Sequence, residues 1–502
     1  MFLRHCLGKI YRHSKMISAN ALNPVVKDIS SEYEAAIKAL NGLQTNAQYL
    51  KAKGNRYLSP EEQYVKSILK TQNYLIKSGV TLDVLDTLPV IHVTGTKGKG
   101  TTCALTESIL RQHGYKTGFY SSPHLIEVRE RIRINGVPIS KTNFVNNFWD
   151  LYNTLHLKKT YSGDMPIYFQ FLTLLAFRVF LTEKVDVAII EVGIGGEYDS
   201  TNILRKVPLV GITSIGLDHM SLLGNTLEQI AWQKSGIMKP SALAFTVPQE
   251  APVLKILKDR SIEKNCSLTV VKPEVDVRHD NQPSDIYKLN ANLALSLCDR
   301  WVRLTKGDCY KDINDFVRSE LTQTGLKTLK WPGRFQVLQK SNNMFYIDGA
   351  HTPESIHACS VWFSQLTQSS SRAKVLIFNA TGDRNSKDLL SQLHKCSFNK
   401  VFFVPNKAIP VPREDEKNFN IMEDQQTARC HHHSVIWHEL DQETDNGNIT
   451  KKQTVKVFSS VTDVLKECAV EEHDVLVTGS LHLIGAVLSV INPNLYTDNC
   501  DS

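Results

Sequence analysis

The chain has 502 residues, 42% hydrophobic and 22% charged, with a net charge of +7 at neutral pH; that length exceeds what one hydrophobic core serves and predicts two domains. No apolar run is long enough to span a bilayer, and no dense Lys/Arg stripe interleaved with aromatics marks a nucleic-acid face. The ten cysteines are scattered without a Cys-x-x-Cys pair, which argues against a disulfide framework or a structural zinc site and points to a reducing compartment.

Residues 1–30 carry Arg4, Lys9, Arg12, Lys15 and Lys27 with no acidic residue before Asp28, the bias of a mitochondrial presequence. A merely basic tail is the alternative. Met16 offers an internal start that would leave a cytoplasmic form beside the mitochondrial one. Helical spacing of apolar residues follows at 31–41 and 61–78. Residues 88–93 read as a buried strand, 101–112 as a helix ended by Gly114, 169–181 as another helix, and 185–192 and 209–212 as further strands. Strands alternating with helices predict an α/β fold, a doubly wound parallel sheet whose ligands gather at the carboxyl ends of the strands.

This amino-terminal domain is expected over 31–333, closing near Trp331-Pro332-Gly333-Arg334. A smaller, Rossmann-like α/β domain is expected over 334–502, with strands at 345–347, 375–378, 401–404 and 475–478. Residues 406–452 interrupt it with polar sequence lacking periodicity, which reads as a surface loop. Its Cys430-His431-His432-His433 run reads as solvated rather than metal-binding.

The chemistry concentrates after the first strand, in Gly95-Thr96-Lys97-Gly98-Lys99-Gly100-Thr101. Backbone N–H groups at a strand-to-helix turn cradle phosphate oxygens, and Lys99 adds a mobile point charge, so this P-loop predicts an ATP-consuming domain. The usual loop reads Gly-Lys-Ser/Thr; here Gly100 separates Lys99 from Thr101. Glu191 ends an apolar strand and is followed by Gly193, Gly195 and Gly196, which favours a metal-binding carboxylate over a salt-bridged strand end. His219 follows a third strand and gains weight only from these neighbours. Lys234, fifteen positions on, reads from spacing alone as a helix-surface lysine.

The glycine loop, followed by SSPHLIEVRERIRINGVPIS (121–140), EVGIGGEYDSTN (191–202), LDHMSLLG, WQKSGIMKP, WPGRFQV, YIDGAHTPES, FNATGDRN and VTGSLHLIGAVL, resembles the folylpolyglutamate synthase family of the Mur ligase superfamily. The resemblance runs from about residue 88 onward. It implies ATP held by residues 95–101, and Mg²⁺ bound by Thr101, Ser121, Glu191 and His219. It further implies a carbamylated Lys234 as a second metal ligand, with a monovalent cation such as K⁺ also in use. Asn290, Arg334, Asp348 and His351 would reach the nucleotide, and the 121–125 loop would shape a folate pocket. Tyr287-Lys288 before Asn290 departs from the His-Gln many relatives carry. Lys99, His219 and Lys234 become the expected catalytic residues.

The implied substrates are reduced folates, L-glutamate and ATP. The implied reaction joins glutamate to the γ-carboxylate of a tetrahydrofolate through an acyl phosphate, in a monomer whose hinge lies at 331–335. Dihydrofolate synthase, which joins glutamate to dihydropteroate, is the alternative within the class. A non-catalytic nucleotide-binding protein, or a generic loop kinase, is the alternative outside it.

Overall fold

The computed structural model describes residues 28–44, 60–275, 277, 284–380, 385–409, 413–416, 423–444 and 453–496. The basic residues read as a presequence, and 381–384 of the FNATGDRN motif, lie outside them.

Eight strands build the first sheet: β1 (Val90–Thr94), β2 (Thr117–Tyr120), β3 (Ile132–Ile134), β4 (Val137–Pro138), β5 (Val187–Glu191), β6 (Leu209–Ile212), β7 (Leu243–Thr246) and β8 (Ser267–Val270). Their order is β4-β3-β2-β5-β1-β6-β7-β8. From β2 to β8 all pairings are parallel. An antiparallel hairpin of β3 and β4 extends one edge, a feature the alternation of strands and helices does not signal. Every β1 residue is buried, and the pleat sends Val90 into the core on one face and Ile91 and Val93 into the core on the other. The first face is covered by the helices Ile29–Asn41, Lys141–Leu157 and Tyr168–Glu183, the second by Lys99–Gln112, Ser284–Lys306 and Glu320–Lys327. The chain leaves β1 toward β2 on one side and later reaches β6 on the other. The order therefore reverses at β1, and its carboxyl end opens a crevice.

The second sheet has six strands: β9 (Gln336–Lys340), β10 (Asn343–Ile347), β11 (Ala373–Phe378), β12 (Lys400–Phe403), β13 (Thr454–Val457) and β14 (His473–Thr478). Their order is β13-β12-β11-β14-β10-β9, parallel except for the β9 edge. Its two faces carry separate cores, one under the helices Pro353–Leu366 and Ser386–His394, the other under Val461–Cys468 and Leu481–Ile491.

The surface loop expected over 406–452 is corrected by the structure. Glu423–Thr444 is a helix, and Cys430, His433, Trp437 and Leu440 recur on one stripe that packs into the core with Phe378 and Phe403. Cys430 and His433 are therefore buried rather than solvated. Among the described residues no group of three or more His, Cys, Asp or Glu is placed to hold a metal.

Several contacts tie the domains together, among them those of the linker and of Leu125–Ile126. Gly349 donates its N–H to Gly333 O at 3.1 Å and Phe335 its N–H to Asp348 Oδ2 at 3.0 Å, stitching the linker to the end of β10. Leu125 and Ile126 of the first domain pack on the second domain's core, where Leu125 O lies 1.8 Å from the position a Cβ on Gly485 would take. Only glycine allows that approach.

Candidate active site

The crevice at β1 opens into a cleft of about 970 Å³ lined by both domains. Its floor is the glycine loop, held in part by backbone pairing: Thr96 and Lys97 both donate N–H to Ser214 O, at 2.8 and 3.2 Å. Thr96 Oγ1 donates to Gly216 O and accepts from Gly216 N–H, each at 3.0 Å. Gly98 has φ +88°, a left-handed conformation, and a Cβ there would sit 2.1 Å from Asn290 Oδ1. Asn290, buried on the Ser284–Lys306 helix, thus packs directly on the loop. The inserted Gly100 also has a structural cause. A Cβ on it would meet Trp331 at 3.1 Å and both Glu191 carboxylate oxygens at 3.6 Å.

Two lysines converge beneath the loop. Lys99 Nζ donates to Gly95 O at 3.1 Å and Lys234 Nζ donates to the same oxygen at 2.7 Å. Lys234 is 4% exposed, so the helix-surface reading from spacing is corrected. The Leu227–Ser235 helix turns that side inward against the loop. Burial, and then the neighbouring Lys99 charge, hold its amine well below the usual lysine range.

Glu191 ends β5 in a buried position and accepts the Ser122 N–H at 3.1 Å. Burial raises its carboxyl above the usual range, opposed chiefly by Lys99. No ion-pair partner lies within 4 Å of it among the described residues, which leaves a buried acid short of a cation. Ser121 and Ser122 both line the smaller pocket around Gly100 and Glu191, while Ser122 also lines the large cleft. Thr101 lines the cleft as well. His219 sits exposed on its rim with φ +50°, capping the short Met220–Leu223 helix, beside Asp218, whose carboxylate is 3.5 Å from Lys97 Nζ.

The second domain supplies the opposite wall. Arg334, Asp348 and His351 line the cleft. Asp348 is buried and its carboxyl is pushed up to about 6, mainly by burial and against the pull of Arg334. His351 Nδ1 pairs with Gly349 O at 2.7 Å, and its N–H goes to Ser355 Oγ in the cap of the Pro353–Leu366 helix. Of the residues singled out from sequence, the structure brings residues 96–101, Glu191, His219, Asn290, Arg334, Asp348 and His351 into one cleft, with Gly95 and Lys234 directly under it and Ser121 in the adjoining pocket.

Ser122 and His124 belong to the 121–125 loop expected to shape a folate pocket, and both line the cleft. Two further contributors lie outside the expected residues. Asp199 is buried at the cleft wall, accepting N–H groups from Ile194 and Thr201, and its signal is the glycine run before it. Asp415 lies in the polar insert and has no local signal. Tyr287 departs from the family pair because it packs in the core of the second face.

A family model described as the Mur ligase middle domain matches residues 93–298, and one described as the dihydrofolate synthetase C-terminal domain matches 333–490. The mitochondrial folylpolyglutamate synthase of Bos taurus is 39% identical, the alignment covering 94% of this chain and 94% of that protein. Among solved structures, the Mycobacterium tuberculosis folylpolyglutamate synthase complexed with ADP superposes with TM-score 0.68 at 22% identity, covering 93% of this chain and 99% of that one. Escherichia coli FolC in complex with DHPP and ADP gives TM-score 0.64 at 24% identity, covering 93% and 99%.

Proposed function

Because this chain belongs to the folylpolyglutamate synthase family of the Mur ligase superfamily, an ATP-dependent ligase that lengthens folates by glutamate, we propose the following division of roles among its residues. The observation that carries it is the glycine loop, Glu191 and the Arg334–Asp348 pair lining a single cleft. Loop N–H groups and Lys99 hold the ATP phosphates and gather the charge that develops on the transferring phosphoryl group. A γ-carboxylate oxygen of the folate attacks the γ-phosphorus and ADP leaves. The α-amine of glutamate then attacks the acyl phosphate and phosphate leaves. Asn290, Arg334, Asp348 and His351 position the nucleotide and close the second domain over it, excluding water that would hydrolyse the acyl phosphate. The linker at 331–335 is the hinge.

A magnesium ion fits the donors present, since it keeps several waters and takes few protein oxygens. Glu191, Ser121, Thr101 and His219 would hold it, and when bound it neutralises phosphate charge. The Lys234 amine, its proton affinity lowered by burial, suits addition to CO₂, losing a proton to give a carbamate anion that would serve a second metal. A monovalent cation such as K⁺ completes the expected ions.

A mitochondrial location accords with the bovine relative's name; we add a cytoplasmic form beginning at Met16. No helix among the described residues is long and apolar enough to cross a membrane, and we take the working unit as a monomer. One observation favours a second reading: the carboxyl-terminal family model is that of dihydrofolate synthetase. Incubating the purified chain with ATP, Mg²⁺ and glutamate, plus either tetrahydrofolate or dihydropteroate, and weighing the products decides between them. A ladder of tetrahydrofolates, each one glutamate heavier, is expected. A single glutamate added only to dihydropteroate would establish the second reading instead.

A further inference from the structure

The segment that meets the second domain at Leu125 is shaped by one buried acid. Glu130 sits in the short 3-10 turn Val128–Arg131 and accepts three backbone N–H groups: Leu125 on Oε2 at 3.0 Å, and Ile126 and Glu127 on Oε1 at 2.8 and 2.6 Å. Capping that turn calls for the Glu127 bond alone, in exchange for the Glu130 N–H held by the Glu127 side chain. The other two bonds reach back beyond the turn, into the chain that leads from Ser121. Three donors on two oxygens suit the ionised carboxyl, which burial raises above the usual range and Arg133, ahead of the N–H groups, draws back down.

Both ends of that chain matter to the reaction. Ser122 donates its N–H to Glu191 Oε2 at 3.1 Å, and Ser121 donates its own to Arg131 O at 3.0 Å. Three residues on from Ser122, the Leu125 carbonyl sets against Gly485 of the second domain, and its side chain lies 3.3 Å from where a Cβ on Gly333 of the linker would stand. Glu130 thus fixes the amide of a residue that touches both the second domain's core and the hinge. A second path starts at the same place. Arg133 Nε donates to Glu130 O at 3.1 Å and Nη2 to the Tyr496 hydroxyl at 3.3 Å, while its guanidinium lies 5.3 Å from the Trp331 ring and 5.5 Å from the Tyr496 ring. Trp331 belongs to the linker and Tyr496 to the second domain. Glu130, Ser121, Glu191, Leu125 and Tyr496 line one small pocket at this seam.

Resting on the folate-ligase reading above, we propose that Glu130 is a positioning residue for closure: its carboxylate holds Leu125 at the seam, and that placement decides whether the acyl phosphate meets glutamate or water. It acts through the Leu125 amide. Where the seam is loose, water attacks the acyl phosphate in place of the amine; phosphate leaves, the folate carboxylate is regenerated, and ATP has gone to ADP and phosphate with no amide bond formed. Loss of Glu130 therefore shows in the ratio of phosphate released to glutamate joined, a quantity that does not depend on how much of the protein is folded.

The test is Glu130→Gln. With its oxygen toward Ile126 and Glu127 the amide keeps both of those bonds and sets its own NH₂ against the Leu125 N–H, so the disturbance falls on that contact. Phosphate release and glutamate incorporation are measured in the same reactions with ATP, Mg²⁺, tetrahydrofolate and glutamate, beside thermal melting. Glu130→Gln is expected to raise the ratio by at least about threefold while KM for ATP stays within about twofold of wild type. Glu127→Gln, which loses the charge but keeps an acceptor for the reciprocal half of the cap, is expected to keep the wild-type ratio. Adding Gly485→Ala to Glu130→Gln should raise the ratio little beyond the larger single effect, because both act on Leu125. A wild-type ratio in Glu130→Gln with only a lower melt, an equal rise in Glu127→Gln, or effects of Glu130→Gln and Gly485→Ala that multiply would each overturn the assignment and leave Glu130 as a helix cap. Should Glu130→Gln not fold, Glu130→Asp, which keeps the charge facing Arg133 and withdraws the oxygens by one methylene, takes its place with the same rise expected. Wild type that adds no glutamate to tetrahydrofolate would instead sink the parent reading, which the wild-type arm detects separately.

Discussion

Replacing Lys234 by methionine separates what this amine costs the fold from what it does for the reaction. Methionine keeps the length of the side chain and loses the charge, and Gly95 O retains its bond from Lys99. The unfolded chain holds a proton at Lys234 up to about pH 10.5, while in the folded chain burial lowers that value strongly. Between the two values the unfolded state carries one more proton. Stability therefore rises with pH there by about 1.4 kcal/mol per unit, the full penalty applies below the folded value, and it vanishes above the unfolded one. The lost 2.7 Å bond to Gly95 O is worth about 1 kcal/mol, so depression by a single unit already offsets it. We expect Lys234→Met to be more stable than wild type at neutral pH, to lose up to about 1.4 kcal/mol per pH unit of the stability slope, and to ligate no glutamate. Urea unfolding from about pH 6.5 to about pH 9, read by linear extrapolation, together with product mass, measures all three. A variant less stable than wild type at neutral pH with an unaltered slope would show that the amine is charged in the fold, and the argument for its carbamylation would fall with it.

Lys99→Ala should lower turnover by at least about 10²–10³-fold with an unchanged melting temperature, because the side chain lines the cleft and bonds only a loop carbonyl; near-normal rates would remove it from the phosphoryl-transfer step. Asp348, with its carboxyl at about 6, should make kcat/KM for ATP fall about tenfold per unit below pH 6 as the group takes up a proton and ceases to face Arg334 as an anion. Its folded value lies above the unfolded 3.8, so this carboxyl also makes stability decline as pH rises from about 4 to about 6. A rate profile that stays level down to about pH 5 would contradict the role. Gly485→Ala forces a methyl into the Leu125 carbonyl; lower turnover and a wider molecule by small-angle scattering are expected, and wild-type kinetics would show that this contact is not needed for closure.

Much of the fold is legible in local pattern. The β1 run, the glycine loop and the helix behind it announce themselves because burial on both faces of a parallel strand demands continuous apolar sequence, and a phosphate turn demands glycine. The Lys99–Gln112 helix begins two residues earlier than its spacing suggests, since Gly98 caps it. The insert helix Glu423–Thr444 escapes notice because its buried stripe is built from Cys430, His433, Trp437 and Leu440 among charged neighbours, a pattern with little apolar contrast. Lys234 misleads for a related reason. What buries it is the Gly95 carbonyl, 139 positions away in sequence. Asp415 lies 287 positions from Val128 and 382 from Tyr33, and no reading of neighbours along the chain can report a bond of that span.

The short segment from Ser122 to Leu125 has one end on Glu191 and the other wedged at Gly485 in the second domain. Three residues reach at most about 10 Å, so the tether has little slack. When the lobes swing apart it must let go of one anchor or the other. Each departing product would then dismantle the very pocket that made it, and the next glutamate would meet an enzyme that has to rebuild its catalytic centre from the start.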